Sequence, residues 1–334
     1  MTNPPLLYLS GSDVGAALPP LDEQLRLAER TLVALADGSA ELPAKIAVHP
    51  RSPSSFGHAM PAYLRGDDPA GGDDLLGLKW VVGYPENGAL GLPTISATVV
   101  LSDPPTGLPL AILDGAPITA ARTAAISGVV IRRFAPDPGN DQPTRRVAIL
   151  GAGVQGGSHV PVIGHVLPGA EISLYDRHRE RAEALAKVAR GTPGIAAARV
   201  ASGEREAVDG VDVVVSAVSF GPVHQVMPNE WLTPNALVVP IDYAMTCSAE
   251  VARDAALFMV DEVSQFVANR AAGLFEDYPD PATTIGAAIL DGVPRPTSGR
   301  VVASHLGTGL ADLMFARAIV EKARALGLGT ALPR

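Results

Sequence analysis

Three glycines at fixed spacing are the first residues in this chain whose types and positions predict chemistry. Gly151, Gly153 and Gly156 follow the apolar run VAIL and precede residues compatible with a helix. In such a turn the first glycine permits the bend, the second lets the backbone approach a pyrophosphate, and the third lets helix and strand pack closely. The pattern predicts a dinucleotide-binding loop whose phosphates face the amide groups at the helix amino terminus.

An acidic residue at a suitable distance supports this interpretation. Asp176 ends a second apolar run, EISLYD, and lies 20 residues beyond Gly156. Dinucleotide-binding folds place there the carboxylate that binds the ribose hydroxyls. This carboxylate favours NAD, whereas the adjacent Arg177 could accommodate the 2′-phosphate of NADP. The predicted cofactor is therefore NAD or NADP, with NAD preferred.

Two charged residues stand in contexts that suggest a reaction site. Lys79 lies within the apolar run GLKWVV, where a buried cation needs an anionic partner. Asp242 follows ALVVPI, at the carboxyl end of a predicted parallel strand, where ligands bind and where an acid can exchange protons. The alternatives are a strand lysine facing water and a turn aspartate.

The elements that must position these residues fall into two regimes. Early in the chain, the helical stretch LDEQLRLAERTLVALADG precedes the strand-like runs KIAVHP, LLGLKWVVGYP, PTISATVVLSD and LAILDG, which predict an antiparallel sheet. A long helix, ITAARTAAISGVVIRRFA with Thr119 as its cap, and the polar break PDPGNDQPT follow. Strands then alternate with helices, which predicts a parallel sheet covered on both faces. A terminal helical region is expected over residues 301–328.

Composition bounds the class of protein. A chain of 334 residues predicts two domains. A net charge of −9 without a basic patch argues against nucleic-acid binding, and no apolar run is long enough to predict a membrane span. The amino terminus lacks a secretory pattern, and the single cysteine, Cys247, fits a reducing cytoplasm. The histidines, among them His159 and His305, show no metal-binding spacing, so no metal is expected.

A further group of motifs resembles the ornithine cyclodeaminase/mu-crystallin family. In chain order they are LKWVVGYPENGALGLPT, LSDPPTGLPLAILDG, APITAARTAAISG and GAGVQGGSH, with MPAY upstream and GTGLAD near the end. The resemblance implies an α/β fold: a Rossmann doubly wound parallel sheet of residues 125–303, inserted in a discontinuous α+β domain of residues 1–124 and 304–334. That second domain would bind substrate and dimerise. An amino-acid or imino-acid substrate and a second copy of the chain are the implied partners.

The implied chemistry is hydride transfer between a nicotinamide and the carbon that bears nitrogen. Lys79 matches the family's active-site lysine, and Asp242 the acid that relays protons. Arg122 matches the arginine that holds the substrate carboxylate, for which a guanidinium fork is suited; the alternative is an exposed helix arginine. Met60 joins the substrate-binding set, as does Lys45, which stands where many relatives carry a second arginine. The residues expected to hold the cofactor are Gly151, Gly153, Val154, Gln155, Gly156, Asp176, Arg177, Ser216 and Thr123.

These observations predict a cytoplasmic NAD(P)-dependent oxidoreductase, either an imino-acid reductase or an amino-acid dehydrogenase. Two alternatives remain open. One is a cyclodeaminase-type lyase that uses NAD catalytically without net redox change. The other is a non-catalytic protein that binds NAD(P) or a small ligand.

Overall fold

The chain divides into two compact units. The computed structural model describes residues 5–52, 54–68, 71–137, 145–221 and 223–333. Met1–Arg122 and Gly307–Arg334 form the first unit, and Thr123–Leu306 form the second. Most of the polar break expected from PDPGNDQPT lies outside the described residues. No helix in the part of the chain that is described combines the length and apolarity needed to cross a bilayer.

The first unit is built on an eight-stranded sheet in the order β16-β1-β7-β6-β5-β4-β2, with β3 also paired to β4. All neighbours run antiparallel as the sequence predicts, except β1 and β7, which run parallel. The strands are β1 (Leu6–Leu9), β2 (Ala40–Glu41), β3 (Ile46–Val48), β4 (Phe56–Leu64), β5 (Leu75–Gly83), β6 (Ile95–Ser102), β7 (Pro109–Asp114) and β16 (Thr330–Leu332).

Helices cover one face of this sheet. The helices α1 (Gly11–Ala16), α2 (Leu21–Ala36) and α10 (Gly309–Leu326) belong wholly to the first unit. α10 packs against β4, β5, β6 and α2. Met60, Lys79, Val99 and Leu113 pair across β4, β5, β6 and β7, so their side chains lie in one row on the same face. All four are buried, which places the ammonium of Lys79 in an otherwise apolar row.

The second unit contains an eight-stranded parallel sheet in the order β10-β9-β8-β11-β12-β15-β13-β14. The strand order reverses beside β8, which lies between β9 and β11; this is the switch point at which doubly wound sheets bind ligands. The strands are β8 (Arg146–Leu150), β9 (Ala170–Tyr175), β10 (Ile195–Val200), β11 (Val213–Ser216), β12 (Leu237–Pro240), β13 (Leu257–Val260), β14 (Thr283–Thr284) and β15 (Val301–Ser304).

Within the described ranges, seven helices accompany this sheet, and the boundary between the units falls within the first of them. They are α3 (Gly115–Phe134), α4 (Val154–Val166), α5 (Arg179–Arg190), α6 (Glu204–Val208), α7 (Ala249–Arg253), α8 (Val263–Ala271) and α9 (Ile285–Leu290). Strands β8, β11, β12 and β13 are buried along almost their whole length, as expected of a parallel sheet with both faces covered. The predicted α/β fold class is confirmed.

Two details of the sequence interpretation are wrong. The terminal helical region does not begin at residue 301, because Val301–Ser304 forms β15 and the helix starts at Gly309. A short buried run of valines cannot be assigned to helix or strand from periodicity alone. Thr119 is not a helix cap: α3 begins at Gly115, and the Thr119 hydroxyl donates to the Gly115 carbonyl at 2.7 Å from one turn inside the helix.

Candidate active site

The glycine loop lies at the carboxyl end of β8, and each glycine has a different environment. Gly151 has a φ of +97°, and a Cβ there would lie 2.4 Å from the carbonyl oxygen of Ala217. A Cβ on Gly156 would lie 2.0 Å from the carbonyl oxygen of Gly151, so α4 approaches the loop too closely for any other residue. A Cβ on Gly153 would meet no described atom within 4 Å. The loop is thus tight at its two ends and open in the middle.

Helix α4 begins at this loop. Gly153 is its N-cap residue, and no side chain caps the first turn. Val154 is exposed, and the side-chain oxygen of Gln155 is buried without a hydrogen-bond partner among the described residues. Free amide donors and the positive end of the helix dipole suit a phosphate group. The loop therefore fits the pyrophosphate of a dinucleotide.

Asp176, directly after β9, contacts the loop from the side. The amide of Ala152 donates to its Oδ2 and the amide of His178 to its Oδ1, each at 2.8 Å. Each oxygen keeps lone-pair capacity for a ribose hydroxyl. The neighbouring Arg177 is exposed, and Thr123 is buried in α3.

Asp242 follows β12 and is held by groups at the end of the adjacent strand β11 and by Thr246, four residues further along the chain. Its carboxylate accepts hydrogen bonds from the hydroxyls of Ser216 (3.1 Å) and Thr246 (2.7 Å) and from the amide of Val218 (3.2 Å). Burial raises the pKa of the Asp242 carboxyl to about 6, although these three hydrogen bonds oppose the change. A buried acid that titrates near neutral pH at the end of a parallel strand is suited to proton transfer.

Two buried histidines of the second unit flank Ser127. The His159 Nδ1 lies 2.6 Å from the carbonyl oxygen of Gln155, so Nδ1 donates and Nε2 accepts from the Ser127 hydroxyl at 2.8 Å. The Ser127 oxygen then accepts from Nε2 of His305, also at 2.8 Å. Burial lowers the pKa of His159 to about 4, so the ring is neutral at neutral pH. The hydrogen bonds therefore run in one direction: His305 donates to Ser127, and Ser127 donates to His159. Both histidines thus have structural partners.

Cys247 is buried, and burial raises the pKa of its thiol to about 12. The thiol is therefore protonated at neutral pH and is not a nucleophile.

In the first unit, Lys79 lies in β5 with its ammonium fully satisfied. Nζ donates to Oδ1 and Oδ2 of Asp312, each at 2.9 Å, and to the hydroxyl of Thr119 at 3.1 Å. The side chain is only 1% exposed. Burial lowers the pKa of Lys79 to about 8, the charges of Arg122 and Lys45 lower it as well, and Asp312 raises it.

Arg122 lies in α3 and contacts the same carboxylate. Its Nε donates to Oδ1 of Asp312 at 3.2 Å. Gly307 adopts a φ of +82° and packs on the guanidinium, since a Cβ there would lie 2.6 Å from Nη1 and 2.8 Å from Nη2. Neither Nη1 nor Nη2 donates a hydrogen bond to the described residues. Asp312 therefore fixes Nε, Gly307 packs against the edge between Nη1 and Nη2, and both Nη groups keep N–H donors without a partner among the described residues.

Asp312, in the first turn of α10, is a residue that sequence reasoning missed. Its side chain is wholly buried and joins Lys79 to Arg122. The signal was present: GTGLAD stands out as a family landmark, and an acid in the apolar stretch LADLMF needs a cationic partner. The sequence gives no indication of which cation that partner is.

The other two predicted substrate-binding residues extend this cluster along the sheet. Met60 is the register partner of Lys79, and its carbonyl oxygen would lie 2.5 Å from a Cβ on Gly309. Lys45 is half-buried next to the start of β3, which pairs with β4. Burial lowers the pKa of His58 to about 4, and the positive charge of Lys45 contributes. The positive charge of Lys45 therefore acts on the sheet face that carries Met60 and Lys79.

The charges in this cluster do not balance. Lys79 and Arg122 are both buried cations, and Asp312 is the one carboxylate that contacts either of them within the described ranges. Burying an unpaired charge is costly unless a counter-ion binds. The arrangement is therefore suited to binding one more anion. Among the described residues, no group of histidine, cysteine or acidic side chains is placed to hold a metal ion.

Comparisons with known proteins agree with this architecture. The sequence profile of the ornithine cyclodeaminase/mu-crystallin family matches residues 8–325. The nodulation efficiency protein NfeD of Rhizobium meliloti is 32% identical over 333 residues, which cover 98% of each chain. The ketimine reductase mu-crystallin of Mus musculus is 28% identical over 289 residues, 85% of this chain and 86% of that one.

Solved structures match across nearly the whole chain. The Δ1-pyrroline-2-carboxylate reductase of Thermococcus litoralis, in complex with NADH and L-proline, superposes with a TM-score of 0.81 at 25% identity, covering 98% of this chain and 100% of that one. An archaeal alanine dehydrogenase dimer with bound NAD gives a TM-score of 0.82 at 25% identity and covers 98% of each chain. The resemblance stated from sequence motifs is thus confirmed: the chain belongs to the ornithine cyclodeaminase/mu-crystallin family.

Proposed function

We propose that this protein is an NAD(P)-dependent oxidoreductase that reduces the C=N bond of a carboxylate-bearing imine or oxidises the corresponding amino acid. The observation that carries the proposal is the buried cluster in which Lys79 and Arg122 share Asp312 and so lack one negative charge. A substrate carboxylate supplies it. The names of the mouse ketimine reductase and of the Thermococcus reductase solved with NADH and L-proline support the same chemistry.

Arg122 binds the substrate carboxylate in this mechanism. Asp312 holds Nε at 3.2 Å, which orients the guanidinium, and the unpartnered N–H groups of Nη1 and Nη2 are the donors proposed for the carboxylate. Lys45 and Met60 complete the substrate-binding set, Lys45 by its charge and Met60 by apolar contact.

Lys79 polarises and positions the reacting centre. Its three donors are directed at Asp312 and Thr119, so the position of Nζ is fixed before substrate binds. A pKa of about 8 keeps the ammonium protonated at neutral pH while making its proton easier to release than that of an ordinary lysine. Lys79 therefore supplies a fixed positive charge beside the carbon at which the substrate reacts.

Asp242 is the proposed proton relay for the nitrogen. With a pKa of about 6 it can both take up and release a proton close to physiological pH. Ser216 and Thr246 hold its two oxygens in place. When bound, the nicotinamide supplies the hydride that the carbon of the C=N bond receives.

The cofactor is proposed to bind at the glycine loop, with NAD preferred over NADP. The pyrophosphate would bind at Gly151, Gly153 and Gly156, and Asp176 would accept hydrogen bonds from the ribose hydroxyls. Arg177 is exposed beside Asp176 and is the group that would contact a 2′-phosphate. The remaining cofactor-binding residues of the proposal are Val154, Gln155, Ser216 and Thr123.

The names of the relatives favour a reductase over a cyclodeaminase acting on ornithine, since the mouse protein is a ketimine reductase and the Thermococcus protein a pyrroline-carboxylate reductase. The pKa changes of Lys79 and Asp242 favour an enzyme over a protein that only binds ligand, since such changes are typical of catalytic groups.

We also propose that residues 1–124 and 304–334 form the substrate-binding and dimerisation domain, and residues 125–303 the cofactor domain, of a cytoplasmic homodimer. The sheet face opposite Lys79 supports this assembly. Trp80 is 39% exposed, Tyr8 41%, Ile46 61% and Val48 51%. An apolar sheet face of this kind commonly packs against another copy, and the archaeal structural neighbour is a dimer.

The test is an assay of reduced cofactor at 340 nm with NADH and then NADPH. The substrates are cyclic imino acids and 2-oxo acids mixed with ammonia or methylamine. Steady consumption with one substrate, abolished in Arg122→Met, would support the proposal. No consumption across the panel, with ammonia released from ornithine at catalytic NAD, would instead establish the lyase.

A further inference from the structure

The amino terminus of α10 is buried without the groups that normally satisfy it. Gly309, Leu310 and Ala311 form its first turn, and all three are buried. The amide groups of a first helical turn have no partner inside the helix. No side chain caps them, and no hydrogen bond joins them to the described residues outside the helix. A buried helix end in this condition needs water or a ligand that accepts hydrogen bonds.

The hydroxyl of Thr308 is also unsatisfied. Thr308 is the N-cap residue of α10, with an extended backbone (φ −112°, ψ 140°), and is 0% exposed. An N-cap threonine usually accepts a hydrogen bond from the amide of the second or third helical residue. Here Oγ1 has no hydrogen-bond partner among the described residues. A fully buried hydroxyl and the uncapped amides beside it therefore lack partners at the same place.

The guanidinium of Arg122 lies next to this helix end. Gly307, immediately before Thr308, packs on Nη1 and Nη2, and Asp312, one turn into α10, holds Nε. A cation beside the positive end of a helix dipole is repelled unless an anion lies between them. Asp312 cannot fill that role alone, because it also neutralises Lys79.

We propose that Thr308 Oγ1 and the first-turn amides of α10 form a second half of the substrate-carboxylate site, beside the Nη groups of Arg122. One carboxylate oxygen accepts from the hydroxyl and an amide while the other accepts from the guanidinium. The site selects imines and amino acids that carry a carboxylate on the reacting carbon. This inference rests on the proposed function, which it makes more specific by naming a further substrate-binding residue.

The experiment compares Thr308→Val, which keeps the shape and removes the hydroxyl, with Thr308→Ser, which restores the hydroxyl. Two substrates are used: 1-pyrroline-2-carboxylate, and 1-pyrroline, the same ring without the carboxylate. We expect Thr308→Val to raise KM for the carboxylate substrate about tenfold or more, the scale of a hydrogen bond to a charged group. KM for 1-pyrroline and the Kd of NADH should be unchanged, and Thr308→Ser should resemble the wild type.

A binding measurement separates this inference from the proposed function. L-Proline is titrated calorimetrically into each NADH-loaded protein, with melting temperatures compared and Thr308→Ala as a second variant if the valine perturbs the fold. Binding weakened about tenfold in Thr308→Val and recovered in Thr308→Ser would support the inference, even if no imine is reduced. Equal L-proline affinity in all variants, or equal loss with both substrates, would overturn it while leaving the reductase in place. Failure of the wild type to bind L-proline would overturn the carboxylate site itself.

Discussion

Lys79 and Asp242 both titrate closer to neutral pH than ordinary lysine and aspartate, and burial is the main cause in each. Desolvation disfavours the charged form, so it lowers the pKa of the ammonium to about 8 and raises that of the carboxyl to about 6. The two groups are therefore in opposite protonation states between these values, with Lys79 protonated and Asp242 ionised. Such a pair gives a protein one proton donor and one proton acceptor at the same pH.

The Lys79 pKa predicts the alkaline limb of the pH–rate profile. Lys79 must be protonated to act as a cation, so kcat/KM for imine reduction should fall as pH rises through about 8. Lys79→Arg should move that limb beyond pH ~10 because guanidinium stays protonated, and Lys79→Met should lower kcat about 100-fold or more. Rates measured across the pH range with a substrate that does not titrate there provide the check. An alkaline limb that is unmoved in Lys79→Arg would contradict this role.

Asp176 is expected to discriminate between NADH and NADPH. Asp176→Ala should raise KM for NADH by about tenfold, since it removes a carboxylate acceptor, while KM for NADPH falls because the repulsion of the 2′-phosphate is lost. The amides of Ala152 and His178 would then be free to donate to that phosphate. Arg177→Ala is the matched variant and should weaken NADPH alone. Kinetics with both cofactors would refute the assignment if Asp176→Ala changed KM for the two cofactors equally.

Much of the candidate site could be predicted from the sequence, and what could not was non-local. Lys79 is recognisable because a cation in an apolar run needs an anion, Arg122 because it stands in a motif of the family, and Asp176 because its spacing from the glycines is fixed. Asp312 lies 233 residues from Lys79 along the chain, so only the folded sheet and α10 show that they meet. The free hydroxyl of Thr308 is likewise a property of packing, which residue type alone does not reveal.

At the scale of elements, the segment between β15 and α10 determines where the guanidinium of Arg122 lies. Gly307 holds a φ of +82°, a conformation that residues other than glycine rarely adopt, and no Cβ fits between it and the guanidinium. The sequence predicted one continuous helical region here. The valines of β15 belong to a parallel sheet, however, and the turn that follows them makes the change of direction possible.

Gly307→Ala should therefore impair substrate binding more than stability. The added methyl group displaces the guanidinium, so we expect KM for the imino acid to rise about tenfold through loss of hydrogen bonds to a charged group, while the left-handed backbone costs about 1–2 kcal/mol of unfolding free energy. Gly327→Ala is the control: Gly327 has a φ of +67° at the other end of α10, and a Cβ there meets nothing within 4 Å. Both variants should lose similar stability in denaturant titrations. A matching rise of KM in Gly327→Ala would exclude the displacement of Arg122 as the cause.

At the scale of the whole molecule, the sheet of the first unit has two different faces. One packs against α10 and carries Lys79, and the other exposes Trp80, Tyr8, Ile46 and Val48. Alternation along the strands could be predicted from the sequence, and it implies two faces. Which face lacks a cover could not be predicted, because that depends on where α10 packs.

Trp80→Glu should convert the proposed homodimer into a monomer. Dimerisation would bury the new carboxylate of the apolar face without a partner. This burial costs roughly several kcal/mol, which is enough to prevent association. Val188→Glu is the matched control, since Val188 is 60% exposed on α5 of the second unit. Light scattering coupled to size exclusion gives the masses. A Trp80→Glu protein with the wild-type mass would place the interface elsewhere.

The order of the two units along the chain has a consequence for synthesis. Thr123–Leu306 forms one continuous segment, so the second unit is complete before Asp312 is translated. Until then no carboxylate neutralises Lys79 and Arg122, and β1 has no β16 to pair with. The second unit can fold while translation continues, whereas the first must wait for its second segment. The apolar strands of the first unit thus stay exposed on the growing chain while the whole second unit is translated. Chaperones can bind them during this interval.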